Sequence, residues 1–223
     1  MDIGGIKRAS AERVKAWQNT ITYIRQTVAL GVGEDPSVMV RSPYREETGH
    51  FGVEFGRLVS VVGPRAFVGQ EALIAGCGSS AEEAIMVLDS FPNLSRIHMV
   101  DWYPPHIDAL ERTFSVWGRT DPTRDYRKVM LHLADLAYLD GLETGSIGFV
   151  YSRFLFETLV NFNFNPAAQK IMDIQREMCR VSQDRAIWYL LEYSPDEAIK
   201  DHLARLQVFK VKNQDDMWIK IPR

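Results

Sequence analysis

Five short apolar runs, at 71–75, 96–100, 128–133, 146–151 and 186–192, are separated by amphipathic stretches, and this alternation constrains the fold more than any other feature of the chain. A strand that is apolar along its whole length must be covered on both faces, and alternating strands and helices achieve this by crossing over a parallel sheet. Helices are expected over 81–90, 105–117, 166–181 and 195–205, whereas the connection from 133 to 146 is too short for a full helix. The chain then changes texture. Residues 206–212 and 217–222 alternate apolar with polar side chains around Asn213-Gln214-Asp215-Asp216, which predicts an antiparallel hairpin. The predicted fold is therefore α/β: a doubly wound, mostly parallel, seven-stranded sheet with helices on both faces and a closing antiparallel β-hairpin.

Ahead of this domain, Val14, Trp17, Ile21, Ile24 and Val28 form one stripe at helical spacing over 10–30, with Ser10 as N-cap and Gly31 as stop. The following Gly-, Pro- and charge-rich segment predicts a loop and a candidate lid before a helix over 53–62. The expected organisation is an N-terminal helical extension over 1–65 and a single large domain over 66–223.

A chain of 223 residues with 46% hydrophobic residues can bury such a core. Its net charge of -3 supplies no general attraction to nucleic acid or to an anionic membrane, so neither is an expected partner. Two cysteines, no secretion-type apolar start and no apolar run near 20 residues lead to the expectation of a soluble, cytoplasmic protein. The five histidines are scattered and no metal site is predicted.

The strongest local signal is E-A-L-I-A-G-C-G-S-S-A-E-E-A, an apolar run entering Gly76-Cys77-Gly78 and then a helix. Glycines there permit positive φ and close approach of a ligand, and the helix start presents unpaired N–H groups and a positive dipole end. A nucleotide-like ligand fits this turn, and so does a tight turn that binds nothing. Asp101 ends the second apolar run, 25 positions after Gly76. In a βαβ unit it meets the same crevice, where its carboxylate can accept both hydroxyls of a ribose or merely cap the helix that starts near Pro104-Pro105. Asp135 follows the third run at the same rim, either as an acceptor for the exocyclic amine of adenine or as an ordinary exposed acid.

Taken together these segments resemble the class I, Rossmann-like S-adenosylmethionine-dependent methyltransferases, from about residue 67 to the end and including the hairpin. The resemblance implies S-adenosyl-L-methionine as cofactor and S-adenosyl-L-homocysteine as product. It also implies a cofactor site made of Ala75, Gly76, Cys77 and Gly78, of Asp101 with Trp102 flanking the adenine, of Ala134, Asp135 and Leu136 at the adenine edge, and of Ser152 and Arg153 beside the methionine end. The implied activity is transfer of a methyl group by in-line displacement to an oxygen, nitrogen or carbon centre of a small-molecule acceptor. Two features depart from the family: Ser80 stands where a third glycine is common, and the interval from glycine to acid is longer.

Two other readings stay open. The chain is compatible with a non-catalytic, regulatory S-adenosylmethionine-binding protein. Gly76-x-Gly78-x-x-Ala81 also satisfies the dinucleotide fingerprint of an oxidoreductase, although the terminal hairpin, Asp135 and the Ser152 turn have no standard role there. If an acceptor must lose a proton, the candidate bases and their neighbours are Tyr44, His50, Tyr103, His106, Arg153 and Glu157. Each also has a purely structural reading: Tyr103 and His106 as packing or capping groups, Glu157 as a solvated acid. Phe51, Phe55, Phe154, Phe156, Phe162 and Phe164 line either an acceptor pocket or ordinary core. Cys77 reads as a small side chain suited to a turn.

Overall fold

In the computed structural model the described residues are 5–8, 48–63, 65–79, 81–153, 155–156, 159, 167–191, 195–212, 214 and 216–222. The chain divides into two compact units, Arg8–Gly63 and Met1–Lys7 together with Pro64–Arg223. The helix expected over 10–30 and the loop up to residue 47 lie outside the described residues. Within the first unit, α1 (Thr48–Val62) starts ahead of the expected residue 53, because Gly49 and Gly52 in its first turns are poor helix formers and mask the start. Among the described residues, no helix is long and apolar enough to cross a membrane.

The larger unit is built on a mixed, mostly parallel sheet. Its strands are β1 (Gly5–Arg8), β2 (Glu71–Ala75), β3 (Arg96–Asp101), β4 (Val129–Leu133), β5 (Ile147–Arg153), β6 (Ser182–Leu191), β7 (Val208–Lys210) and β8 (Met217–Lys220). Their order across the sheet is β1-β4-β3-β2-β5-β6-β8-β7. The seven predicted strands are β2 to β8, and β1 adds an eighth at the edge, in a stretch read from the sequence as part of the helical extension. With Ile6 as its only large apolar residue, β1 carries no side-chain pattern, and an edge strand needs none because it pairs through its main chain.

The strands β2 to β6 pair in parallel, while β8 runs antiparallel to both β6 and β7. The helices are α2 (Glu82–Ser90), α3 (Pro104–Thr120), α4 (Ala167–Val181) and α5 (Glu197–Arg205). Each turns an apolar stripe inward, as in Ile107, Leu110 and Phe114 of α3 and Ile171, Ile174, Met178 and Val181 of α4.

Sheet residues bury both faces. Leu73, Ala75, Val100, Val150, Trp188 and Leu190 join the α4 and α5 stripes in one cluster. A second group holds Phe67, Phe91 and Phe149, whose ring centroids lie 5.0 to 5.4 Å apart. Between Ile147 and Phe149 the register of β5 slips against both neighbours. Gly148 allows this, since a Cβ there would sit 1.9 Å from Gln70 Oε1.

The link from β4 to β5 holds no helix, as its length predicts, and is pinned from α4 instead. Arg180 donates to the carbonyls of Leu139 (2.9 Å) and Leu142 (3.2 Å), and Glu177 accepts from Leu139 N–H (3.0 Å). Leu136, Ala137, Leu139 and Leu142 are thereby held in the core.

β6 begins at Ser182, before the expected residue 186, because the polar Gln183-Asp184-Arg185 disguises its first half. Ser182 Oγ donates to Met178 O (2.7 Å) and accepts from Trp188 Nε1 (2.9 Å), all within the core. Ser182→Ala is expected to cost about 1–3 kcal/mol in denaturant unfolding, because it leaves the indole N–H buried without an acceptor. Lys220 of the hairpin donates to the carbonyls of Cys179 (3.0 Å) and Ser182 (2.5 Å), placing a cation at the C-terminal end of α4. The hairpin strands are shorter than predicted, and the chain turns between them with Val211 N–H bonded to Met217 O.

Candidate functional site

β2 lies between β3 and β5, so the chain winds to one side through β3 and β4 and then crosses to the other through β5 and β6. Connections leave such a switch point in opposite directions and open a crevice at the carboxyl ends of the strands. The residues singled out in the sequence on β2 to β5 all stand at those ends.

The first wall is the turn after β2. Gly76 has φ +69° and Gly78 φ +58°. The N–H groups of Gly76 (2.9 Å) and Cys77 (3.2 Å) both donate to Val100 O, which hangs the turn on β3. A Cβ on Gly76 would meet Leu155 Cδ1 at 2.9 Å, whereas beside Gly78 there is open space. The turn therefore needs its first glycine for fit and leaves room at its second.

The second wall is Asp101, 4% exposed at the end of β3. Its Oδ2 accepts from Gly78 N–H (2.9 Å) and its Oδ1 from Tyr103 N–H (2.9 Å). A carboxylate has about four acceptor positions, so these two bonds do not exhaust it. Asp101 thus closes the glycine turn and does not act as a side-chain cap of α3, whose N-cap Tyr103 makes no side-chain bond.

His106, expected at the open crevice, is folded under Asp101. Its Nδ1 lies 3.2 Å from Asp101 Oδ1, its ring packs edge-on against Tyr103 at 4.9 Å, and neither ring nitrogen has a hydrogen bond. Pro104 and Pro105 start α3 immediately after the strand, which turns the next residue back toward the sheet. Trp102 stands half-buried beside it.

At the end of β4, Ala134 N–H donates to Asp101 O (3.0 Å), which brings the third segment beside the second. Asp135 Oδ1 accepts from Ala137 N–H (2.9 Å), Oδ2 accepts from Lys170 Nζ of α4, and Leu136 is buried. On the other side of β2, Ser152 Oγ donates to Ala75 O (3.0 Å), so its hydroxyl ties β5 to the glycine turn. Arg153 follows at the strand end, half-buried.

Burial pushes the Cys77 thiol well above its usual range, with Asp101 and Glu83 adding to the effect, so this thiol stays protonated near neutral pH. Glu83, in the first turn of α2, was not singled out in the sequence. Burial pushes it up to about 8 against the opposing charge of Arg153, and Glu82 and Asp101 raise it further.

The folded chain therefore keeps the Glu83 proton between about 4.5 and about 8, where the unfolded chain loses it. Its contribution to stability is fully present below the lower value and is lost as pH rises through the upper one. Glu83→Gln is expected to match the unsubstituted protein in thermal unfolding near pH 5 and to unfold at a clearly higher temperature at pH 9. Equal midpoints at both pH values would contradict this placement of the carboxyl.

Tyr44, Ser80, Phe154, Glu157, Phe162 and Phe164 lie outside the described residues. His50 and Phe51 fall in α1, in the other unit. Phe156 is buried in the core cluster. Lys170 was missed for want of any local signal, since it stands 35 positions from Asp135. Glu83 carried only the generic signature of a first-turn helix acid.

No protein-family model matches the sequence. No curated protein matches it either. Among solved structures, the chain shares its fold with S-adenosylmethionine-dependent methyltransferases. The N-methyltransferase NodS from Bradyrhizobium japonicum, in complex with S-adenosyl-L-homocysteine, aligns with a TM-score of 0.54 at 11% identity over 90% of this chain and 99% of its own. A SAM dependent methyltransferase from Aquifex aeolicus aligns at 0.51 and 12% identity over 83% and 97%, and the YcgJ protein from Bacillus subtilis at 0.52 and 13% over 70% and 68%. At such identities the likeness is one of fold.

Proposed function

We propose that this chain is an S-adenosylmethionine-dependent methyltransferase acting on a small-molecule acceptor. The observation that carries the reading is Asp101, buried at the end of β3 and bonded to the N–H of Gly78 in the glycine turn, with acceptor capacity beyond its two backbone bonds. Open space at Gly78 and the positive φ at both glycines suit a nucleoside with an amino-acid tail. The fit is chemical as well as steric: vicinal hydroxyls are donors, and Asp101 offers only acceptors.

On this reading Asp101 takes the ribose, Trp102 flanks the base, Asp135 and Leu136 meet its edge, and Arg153 serves the carboxylate of the methionine end. S-Adenosylmethionine, when bound, supplies an activated methyl group, so the work left to the chain is alignment and exclusion of water. Tyr103 and His106 pack around Asp101, which favours for them a part in the cofactor wall over that of a base. Net charge of -3 favours a small acceptor over a polyanion. Two free, buried thiols suit a reducing, cytoplasmic setting.

Methyl-labelled S-adenosylmethionine, incubated with a panel of small amines, alcohols and carbon acids, is expected to yield labelled product together with S-adenosyl-L-homocysteine. Tight cofactor binding with no transfer across the panel would instead mark a regulatory binding protein.

A further inference from the structure

His106 is folded against the acid at the end of β3, and its two ring nitrogens are idle. Nδ1 stands 3.2 Å from Asp101 Oδ1, within hydrogen-bonding distance, yet neither it nor Nε2 makes a hydrogen bond. The two side chains are 12% and 6% exposed, and the Tyr103 ring packs edge-on against the imidazole at 4.9 Å. Asp101 is already fixed by the N–H groups of Gly78 and Tyr103, each at 2.9 Å.

An imidazole gains a proton in mildly acid solution and then donates from both nitrogens. The distance to Asp101 Oδ1 is met, so only the direction of the Nδ1–H bond has to change. A charge-assisted bond is about twice as strong as a neutral one, so the charged ring competes for the carboxylate where the neutral ring does not. Nε2 is buried with no acceptor beside it, so a charged His106 depends on Asp101 alone.

We infer that His106 is a proton-operated brake on the nucleoside site: charged, it draws on the acceptor capacity of Asp101 that the hydroxyls of the ligand use, so that nucleoside binding expels its proton. This rests on the proposed cofactor reading, in which Asp101 takes the ribose. His106 acts only through Asp101 and is a positioning residue. The free protein then holds the proton more tightly than the complex, so affinity falls as pH falls, by at most about tenfold per pH unit for one proton.

The other titratable groups around Asp101 are Tyr103 ahead of α3, Cys77 of the glycine turn and Glu83 of α2, with Arg153 of β5 acting on Glu83. Burial pushes Cys77 well up and Glu83 up to about 8, so both stay largely protonated between pH 5.5 and pH 7. Tyrosine and arginine side chains do not titrate in that interval. Asp135, after β4, is paired with Lys170.

The test is titration calorimetry of the full chain with S-adenosyl-L-homocysteine at pH 7 and pH 5.5, on the unsubstituted protein, His106→Gln and His106→Phe. The unsubstituted protein is expected to bind about fivefold or more weakly at pH 5.5, within the ~30-fold that one proton supplies over this interval. It is also expected to release protons on binding at pH 6, read from the heats in two buffers of different ionisation enthalpy. Both variants are expected to bring the ratio between the two pH values close to one and to release no proton, whatever their affinity at pH 7.

A histidine that only packs would leave the pH ratio of the variants as it is in the unsubstituted protein, and that result overturns the inference while the cofactor reading stands. A ratio near one, or tighter binding at pH 5.5, in the unsubstituted protein also overturns it. If S-adenosyl-L-homocysteine binds at neither pH, both readings fall. Should one variant not fold, the other decides. Should neither fold, the proton count of the unsubstituted protein decides, release supporting the inference and uptake or no exchange overturning it.

Discussion

Asp101→Ala is expected to abolish measurable binding of S-adenosyl-L-homocysteine, with at least a hundredfold loss of affinity. Two kinds of interaction disappear together. The acceptor capacity left on the carboxylate is lost, and a hydrogen bond to a charged group is worth about 1.5–3 kcal/mol each. The N–H of Gly78 and the N–H of Tyr103 also lose the acceptor that fixes them, so the glycine turn loosens. Asp101→Asn separates the two effects. Its amide retains one oxygen, so one of the backbone bonds survives, and an intermediate loss of about tenfold or more is expected. Titration calorimetry with circular dichroism of each variant checks both, and unchanged affinity in a folded Asp101→Ala protein would show the acid to be misassigned.

The second large effect is expected at Gly76. Its φ of +69° lies in the left-handed region, where any side chain costs about 1–2 kcal/mol. A Cβ would in addition stand 2.9 Å from Leu155 Cδ1 and 3.3 Å from Leu155 Cβ. The terminal methyl can swing away, but the Cβ moves only with its backbone. Gly76→Ala is therefore expected to lower stability by about 2 kcal/mol and to weaken cofactor binding more than tenfold, because the turn must shift at the point where a ligand approaches.

Gly69→Ala supplies the control. Its φ is +70° with nothing within 4 Å of a Cβ, and it lies before β2, away from the strand ends. It should lose about 1 kcal/mol from the backbone alone and bind normally. Equal binding by both variants would mean that the Gly76 turn does not border the ligand.

Strands β2 to β5 are legible in the sequence because parallel strands covered on both faces are written as unbroken apolar runs, and Glu71–Ala75 and Arg96–Asp101 are of that kind. β1 and the first half of β6 are not, since Gly5-Ile6-Lys7-Arg8 pairs at an edge through main-chain groups that any side chain can carry, and Gln183-Asp184-Arg185 fall in the irregular stretch between the paired Ser182 and Ile187.

The same division runs through the site. Gly76, Gly78, Asp101 and Asp135 announce themselves by standing where an apolar run ends. What holds them is dispersed along the chain. Lys170 reaches Asp135 across 35 residues, and Ser152 Oγ reaches Ala75 O across 77. His106 had both a packing and a catalytic reading in the sequence, and its contact with Asp101 depends on the two prolines that begin α3, a placement that no apolar run announces.

In the proposed function the turn after β2 and the acid after β3 bind a sulfur nucleoside. Calorimetric titration of the full chain with S-adenosyl-L-methionine, S-adenosyl-L-homocysteine and NAD in parallel tests it most directly. Saturable binding of both sulfur compounds with no heat from NAD is the expected result. Binding of NAD alone, or of none of the three, would contradict the account.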